Sequence, residues 1–522
     1  MRTLITGAKI HTFTSDGIFS YMGMEKGKIT YLGNERPSGR WHEVRLEGLH
    51  VAPRLFDSHI HMLYTIVLAG ESFTLSKING SKVTPNTAEG ALELIREFAL
   101  SHPDIPVIVA NGFIPSAFEK PRLLTKAELD EAAPGRAVIV YTIDGHSSSL
   151  SSALLSALSI ESSDGIMRGE AHEFIQGKVT DYIASKVTPS VLAKGIASFV
   201  NTCTHYCISG VSALDGNEDS SSDVTMKLLT FIASRLDMDI RLYPQYTSKE
   251  KAEPYFRMQK HRRMGGCGAW ELDGSVNSHS AAFYTPYRKT SECGHTYRTD
   301  AFVRERVEYA IQNRVLLSAH AIGPAAIDQI VNAYDEVREL LPREGAMYRI
   351  DHFEFPSQAA VEKVKKLPIA ITIQPGFSYI DRLALHSYEK YLTDEQLSLL
   401  MPLKTLSDAD VCLLGSSDSP VQDMDPFLQM KGMTHYYRDS ESISQRKAYE
   451  TYSVNAGRAN GEDYALKCGN EATFALFRKD PEKEELTAED CLGLWKKGRK
   501  VREIKHPMAF LLSLPFRRKH KI

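Results

Sequence analysis

Along the middle of the chain, short runs rich in Val, Ile and Leu alternate with stretches in which apolar residues recur every three or four positions. Runs of the first kind suit strands buried on both faces, and stretches of the second kind suit helices that cover them, so the alternation predicts βαβ units and a parallel sheet. Eight strands are predicted: the approach to Asp57, then 210–216, 239–246, 268–274, 315–320, 348–354, 369–375 and 411–418. Eight such strands are what closes a (β/α)8 TIM-like barrel, in which functional groups collect at the C-terminal strand ends.

Helix signals lie between the strands. Thr188 is a predicted N-cap with Pro189 in the first turn, followed by Leu192, Ile196, Phe199, Val200 and Cys203 on one face, and Gly210 follows the helix. Ile327, Ile330, Val331 and Tyr334 make a second stripe. Residues 64–180 break the alternation, being too long for one connection, and predict an insertion within a barrel spanning 51–455. That stretch holds strand-like IPVIVANGF and AVIVYTIDG, a helix over TKAELDEAA, and HSSSLSSALLSALSI. Short strands with glycine turns over 1–50, together with strand-like GNEATFALFRKDP and VREI in 456–522, predict a β-sandwich built from both termini. The basic tail FRRKHKI reads as a solvated end.

Composition narrows the function classes. A formal net charge of −3 supplies no electrostatic reason to expect nucleic acid or an acidic membrane as partner, which leaves a small-molecule substrate. The N-terminus lacks the apolar core of a signal peptide and no stretch is long enough to span a bilayer, so a cytoplasmic protein is expected. Seven cysteines, an odd number, fit reduced thiols, and Cys203 and Cys207 read as core packing rather than metal ligands. A homodimer is the default assembly on symmetry grounds.

The predicted strand ends carry the chemistry. Strand one ends in His59 and His61, which as residues i and i+2 of an extended segment present both imidazoles on one side. Strand four carries Glu271 and Asp273, strand five ends in His320, strand six carries His352 and strand eight ends in Asp418. Neutral imidazoles with a carboxylate are a ligand set for zinc, manganese or iron. The reading is a metal-activated water attacking an amide-type bond, with Asp418 accepting the water proton and passing it to the leaving group.

The ordered motifs FDSHIHM, DGHSSSLSS, ELDGSVNSHSAAF, SAHAIGPAAIDQIVNAYDEV, YRIDHFEF, ITIQPGF and GSSDSPVQDMDPF resemble the amidohydrolase superfamily, specifically amidohydrolase family 3, the YtcJ-like proteins and N-substituted formamide deformylases. The resemblance covers nearly the whole chain. It implies a divalent metal, commonly zinc, one or two per chain, bound by His59, His61, His320, His352 and Asp418, and a substrate-facing role for His146. Relatives often carry a metal-bridging lysine on strand four. Here Ala269 stands in the comparable stretch, and Glu271 is read either as a substitute bridging carboxylate or as a buried pair partner. His279 and Gln374 are candidate substrate contacts, with a loop-filling role open for His279. Asp57, two before His59, is expected to buttress a ligand or the barrel floor; Asp351, adjacent to His352, is expected to look away from the metal. Arg54 replaces a glycine common in relatives and is expected to affect the start of its strand rather than the chemistry. Two other functions remain open on the same residues: a metal-dependent deaminase or decarboxylase, and a non-catalytic binding protein.

Overall fold

The structure, a computed structural model, describes residues 2–71, 73–216, 218 and 223–522. Its centre is two runs of parallel strands. The first contains β1 (Leu55–Ile60), β2 (Ile208–Asp215) and β3 (Asp239–Pro244), in the order β3-β2-β1. The second contains β4 (Arg263–Glu271), β5 (Leu316–Ala321), β6 (Arg349–His352), β7 (Ala370–Ile373) and β8 (Cys412–Gly415), in sequential order. Strand β3 lies beside β4. Past the end of β8, Ser419 pairs with Ile60 in a parallel bridge, the Asp418 amide donates to the His59 carbonyl at 2.9 Å and the His61 amide to the Ser419 carbonyl at 2.8 Å.

All eight strands lie where the hydrophobic runs place them, but β4 begins earlier, at Arg263, and ends before Asp273. Gly265 and Gly266 explain the shift. Both have positive φ, +102° and +108°, and a Cβ on Gly265 would lie 2.0 Å from the Ser318 carbonyl oxygen. Only glycine lets β4 pass so close to β5, and the register slips between Gly266 and Glu271. The interior between the strands is polar below the site. Arg349, 2% exposed, donates to Ser318 Oγ at 2.7 Å and to the Ser58 carbonyl at 2.7 Å, while Ser318 Oγ also bonds Asp351. Buried charge is tolerated there because each group meets a partner.

Both predicted helices form. Pro189–His205 is capped by Thr188 Oγ1 accepting from the Val191 amide, and it buries Ile196, Phe199 and Cys203; the second helix is Pro324–Glu336. Between β1 and β2 lies a five-stranded sheet whose order is Ile166–Arg168, Ser147–Leu150, Ala137–Thr142, Val107–Phe113, Phe73–Thr74. Its central strands show two-residue alternation feeding two separate cores: Ile108, Ala110, Val138 and Val140 on one face, Val107, Val109, Ile139 and Tyr141 on the other.

The chain ends supply two more sheets. One is four-stranded, from residues 3–45; the other is six-stranded and joins Lys9–His11 and His50–Pro53 on one side to Phe474–Phe477 and Cys491–Lys496 on the other, through the pairing of His50–Pro53 with Phe474–Phe477. They share a core of Ile5, Ile10, Met22, Val51, Phe474 and Leu476. Two expectations are corrected here. The VREI segment is not a strand: a turn at Lys497 and Gly498, both with positive φ, pairs Cys491–Lys496 with Arg499–Lys500, and the chain leaves the sheet after the Val501 amide bonds the Leu494 carbonyl. The tail is not wholly solvated either. Phe516 is 89% exposed, yet Ile522 is fully buried and its amide bonds the Met258 carbonyl at 2.9 Å. Among the described residues no helix is long and apolar enough to cross a membrane.

Candidate metal centre

Four predicted histidines and the aspartate meet where β1, β5, β6 and β8 end. His59 Nε2 and His61 Nε2 each lie 3.2 Å from Asp418 Oδ1. The His352 ring is 4.4 Å from that of His320 and 5.1 Å from that of His59, centroid to centroid. The backbone turns left-handed at His352 (φ +72°), Phe353 (+53°) and Asp418 (+59°). Such conformations are costly for residues with a Cβ and persist where the surroundings impose them, commonly at functional sites.

This turn overturns the expectation for Asp351. Alternation predicts that His352 and Asp351 face opposite ways, but the left-handed turn brings both inward, and Asp351 Oδ1 lies 3.3 Å from His59 Nδ1. Asp57 joins two strand ends instead of touching an imidazole: Oδ1 accepts from the amides of His59 (3.2 Å) and Ser417 (3.1 Å), and Oδ2 accepts from the Ser417 hydroxyl at 2.6 Å. Asp215 accepts from the Met62 and Leu63 amides, and Asp273 accepts from Ile322 (2.9 Å), Gly323 (2.7 Å) and Ala282 (2.8 Å). These carboxylates set the loops that carry the histidines.

The histidines divide electrostatically. Burial disfavours charge on His59, but Asp418 and Asp351 outweigh it and lift its pKa to about 9. Burial, reinforced by His352 and His146, pushes His320 well below the ordinary value. Burial and His59 hold His352 down at about 4 against the opposing pull of Asp418. His320 and His352 are therefore neutral imidazoles, the form that binds metals. His352 Nδ1 lies 2.9 Å from Gln374 Oε1, which assigns the proton to Nδ1 and leaves Nε2 free to coordinate. Among the described residues, His352 Nε2 and His320 Nδ1 are buried without a hydrogen-bond partner, while Asp418 Oδ1 is shared between His59 and His61. Buried lone pairs left unsatisfied are costly, and a divalent cation satisfies them together.

A cavity of about 210 Å³ opens above this cluster, room for a small organic molecule. One wall is largely apolar, with Tyr64, Val67, Tyr141, Ile143 and Ile183. His146 faces the cavity, its Nδ1 3.2 Å from Glu173 Oε1 and its ring 5.2 Å from that of His320. Burial opposes its protonation, but the bond to Glu173 and the charges of Glu271 and Asp144 raise it to about 10. Glu271 Oε1 accepts from the Gly268 amide at 3.0 Å, and burial together with the neighbouring Glu173 carboxyl, to which it is hydrogen-bonded, holds Glu271 well above the usual range. Glu271 thus stands both with Cys267 and His320 and with His146 and Glu173, each set close enough to share an ion.

Two expected substrate contacts lie elsewhere. His279 does not line the cavity: its left-handed backbone (φ +54°) stacks the ring on Tyr287, 4.8 Å away, with Nδ1 3.1 Å from Glu292. Gln374 is likewise not among the lining residues, since its amide is spent on His352 and on Ser416 Oγ, 2.8 Å from Nε2. Sequence reasoning missed Cys267, whose Sγ lies 3.5 Å from His59 Nε2, and Glu173. Cys267 was legible as an inward position on β4 only if the glycine pair before it had been read as a bulge; nothing in sequence spacing connects Glu173 to Glu271.

Residues 42–502 match the sequence model of the Amidohydrolase family. The chain is 23% identical to YtcJ of Bacillus subtilis (strain 168), covering 92% of this chain and 95% of that protein. It is also 23% identical to Protein LONG AFTER FAR-RED 3 of Arabidopsis thaliana, over 91% of this chain and 86% of that one. A 22% identity to N-substituted formamide deformylase of Arthrobacter pascens covers 32% of each chain. Among solved structures, an uncharacterized metal-dependent hydrolase from Pyrococcus furiosus superposes with a TM-score of 0.69 at 21% identity, over 92% of this chain and all of that one. A triazine hydrolase variant superposes with a TM-score of 0.55 at 11% identity, over 98% of this chain and 99% of that one. With a family match across most of its length and a mixed α/β fold shared with these structures, the chain belongs to the amidohydrolase family.

Proposed function

We propose that the protein is a metal-dependent hydrolase that cleaves an amide-type C–N bond in an N-acyl, formamide or cyclic amide substrate. The two parallel sheets are then arcs of one (β/α)8 barrel, with residues 64–180 as an insertion forming the apolar cavity wall and the terminal sheets as a β-sandwich. The observation that carries the reading is the pair of buried, unpartnered imidazole nitrogens, His320 Nδ1 and His352 Nε2, beside Asp418 on the cavity floor.

The cation would be held by His59, His61, His320, His352 and Asp418. When bound, it supplies Lewis acidity that polarises a carbonyl and acidifies water. The chain's residues do the rest. Asp418 is kept ionised against its burial by His59 and His61, and takes the proton of the attacking water, then returns it to the departing nitrogen as the C–N bond breaks. His146, whose pKa its bond to Glu173 raises, faces the negative charge that develops on the carbonyl oxygen. Tyr64, Val67 and Tyr141 exclude water from an apolar substituent and hold it in the cavity.

The test screens N-acyl amino acids, formamides and cyclic ureas with protein purified without chelators, with metal measured by elemental analysis. Asp418→Asn and His320→Asn are each expected to lower turnover by about 10²-fold or more while the circular dichroism spectrum is unchanged. Full turnover in either variant refutes the reading.

A further inference from the structure

Strand β4 carries no lysine at the site, yet it delivers one donor that neither the metal set above nor the catalytic scheme uses. Cys267 is buried, lines the cavity, and follows directly on the two glycines that bring β4 against β5. Its Sγ, His59 and His352 offer ligand atoms all within 4.8 Å of one another. The same sulfur belongs to a second set at the same spacing, with Glu271 and His320. Cys267 is thus common to both sets. Around it stand two buried imidazole nitrogens without hydrogen-bond partners among the described residues, His320 Nδ1 and His352 Nε2, and the carboxyl of Glu271, which Glu173 also meets. A structural thiol in an apolar core has no such company; Cys203, for comparison, belongs to the main apolar core together with Ile196 and Phe199 of its own helix.

We propose that Cys267 is a metal ligand shared between two cation positions, one on the His59 side and one on the Glu271 and His320 side, so that a thiolate bridges a binuclear centre. This rests on the metal-dependent reading above and deepens it. Binding releases the thiol proton to solvent, and the sulfur forms its new bonds to the cations without change of oxidation state. Thiolate favours zinc over magnesium or manganese, so the bridge biases the centre towards the softer ion. Glu271 serves as a terminal donor on the second side, while Glu173 shares its environment with His146.

The experiment replaces the native metal with cobalt(II) in the full-length protein and records its near-ultraviolet absorption together with cobalt content. Thiolate coordination gives a sulfur-to-cobalt charge-transfer band, which carboxylate and imidazole do not. The wild-type protein is expected to show the band and to hold about two cobalt ions per chain. Cys267→Ser is expected to lose the band and to retain about one ion. Cys267→Asp, with an oxygen bridge, is expected to recover the second ion without the band, and this rescue separates a lost ligand from a damaged fold. A wild-type protein that binds cobalt without the band, or a Cys267→Ser variant that keeps band and stoichiometry, overturns the bridging thiolate and leaves the hydrolase reading standing. A protein that takes up no divalent cation overturns both.

Discussion

Arg54 is the single residue that links the strand His50–Pro53 to β1 and is 6% exposed. Its guanidinium lies 3.8 Å from the Tyr464 ring centroid, bonds Asp239, and stands 3.7 Å from Glu462 and 3.6 Å from Glu471. Arg54→Met keeps most of the volume and removes the one cation common to three carboxylates, leaving Arg241 and Lys260 on Glu462, Lys496 on Asp239 and Lys497 on Glu471. Removing one partner of a buried pair costs about 3–5 kcal/mol, and the lower end applies because the carboxylates retain some solvent. Unfolding entropy of about 2.1 cal/mol/K per residue makes a chain this long lose only about 1 °C per kcal/mol, so calorimetry should record a fall in Tm of about 3 °C if the protein melts as one unit. The loss depends on pH. Burial raises the Asp239 carboxyl, but Arg54, Lys496 and Arg241 overcome it and hold the group well below its ordinary value of 3.8. A depressed carboxylate contributes stability that is complete above the unfolded value and fades as pH falls through it, so the gap between wild type and variant narrows below pH ~4. Equal Tm values at neutral pH, or a gap that widens on acidification, would refute the account of Arg54 as the clamp on these carboxylates.

Two further substitutions probe the scaffold. Gln374→Leu removes the acceptor for His352 Nδ1 and should weaken zinc binding by about 10–100-fold in chelator competition, whereas an unchanged affinity would deny Gln374 its orienting role. Gly265→Ala forces a Cβ to 2.0 Å from the Ser318 carbonyl at a φ of +102°, and strain plus overpacking should cost about 4 kcal/mol in denaturant unfolding or prevent folding. Gly48→Ala, at φ +72° with nothing within 4 Å, is the control and should cost about 1 kcal/mol; similar losses at both positions would mean that backbone conformation, not the approach to β5, is what glycine supplies.

The eight parallel strands, their covering helices and the placement of four histidines and Asp418 at strand ends were legible because each depends on local pattern. A buried strand needs a short apolar run, a helix needs its stripe and cap, and His59 with His61 needs only the two-residue period of extended chain. What the tertiary structure alone decided lies where that period breaks or where distant segments meet. The left-handed turn at His352 brings Asp351 in behind His59, the bulge after Gly265 and Gly266 puts Cys267 into the site, and Gln374 and His279 are drawn away from the cavity by His352 and by Tyr287. Glu173 meets His146 and Glu271 only because a helix far along the chain folds over the strand ends. Periodicity fixes which residues share a face of one element. It carries no information about which element comes to lie opposite, since that choice is made by packing among all of them at once.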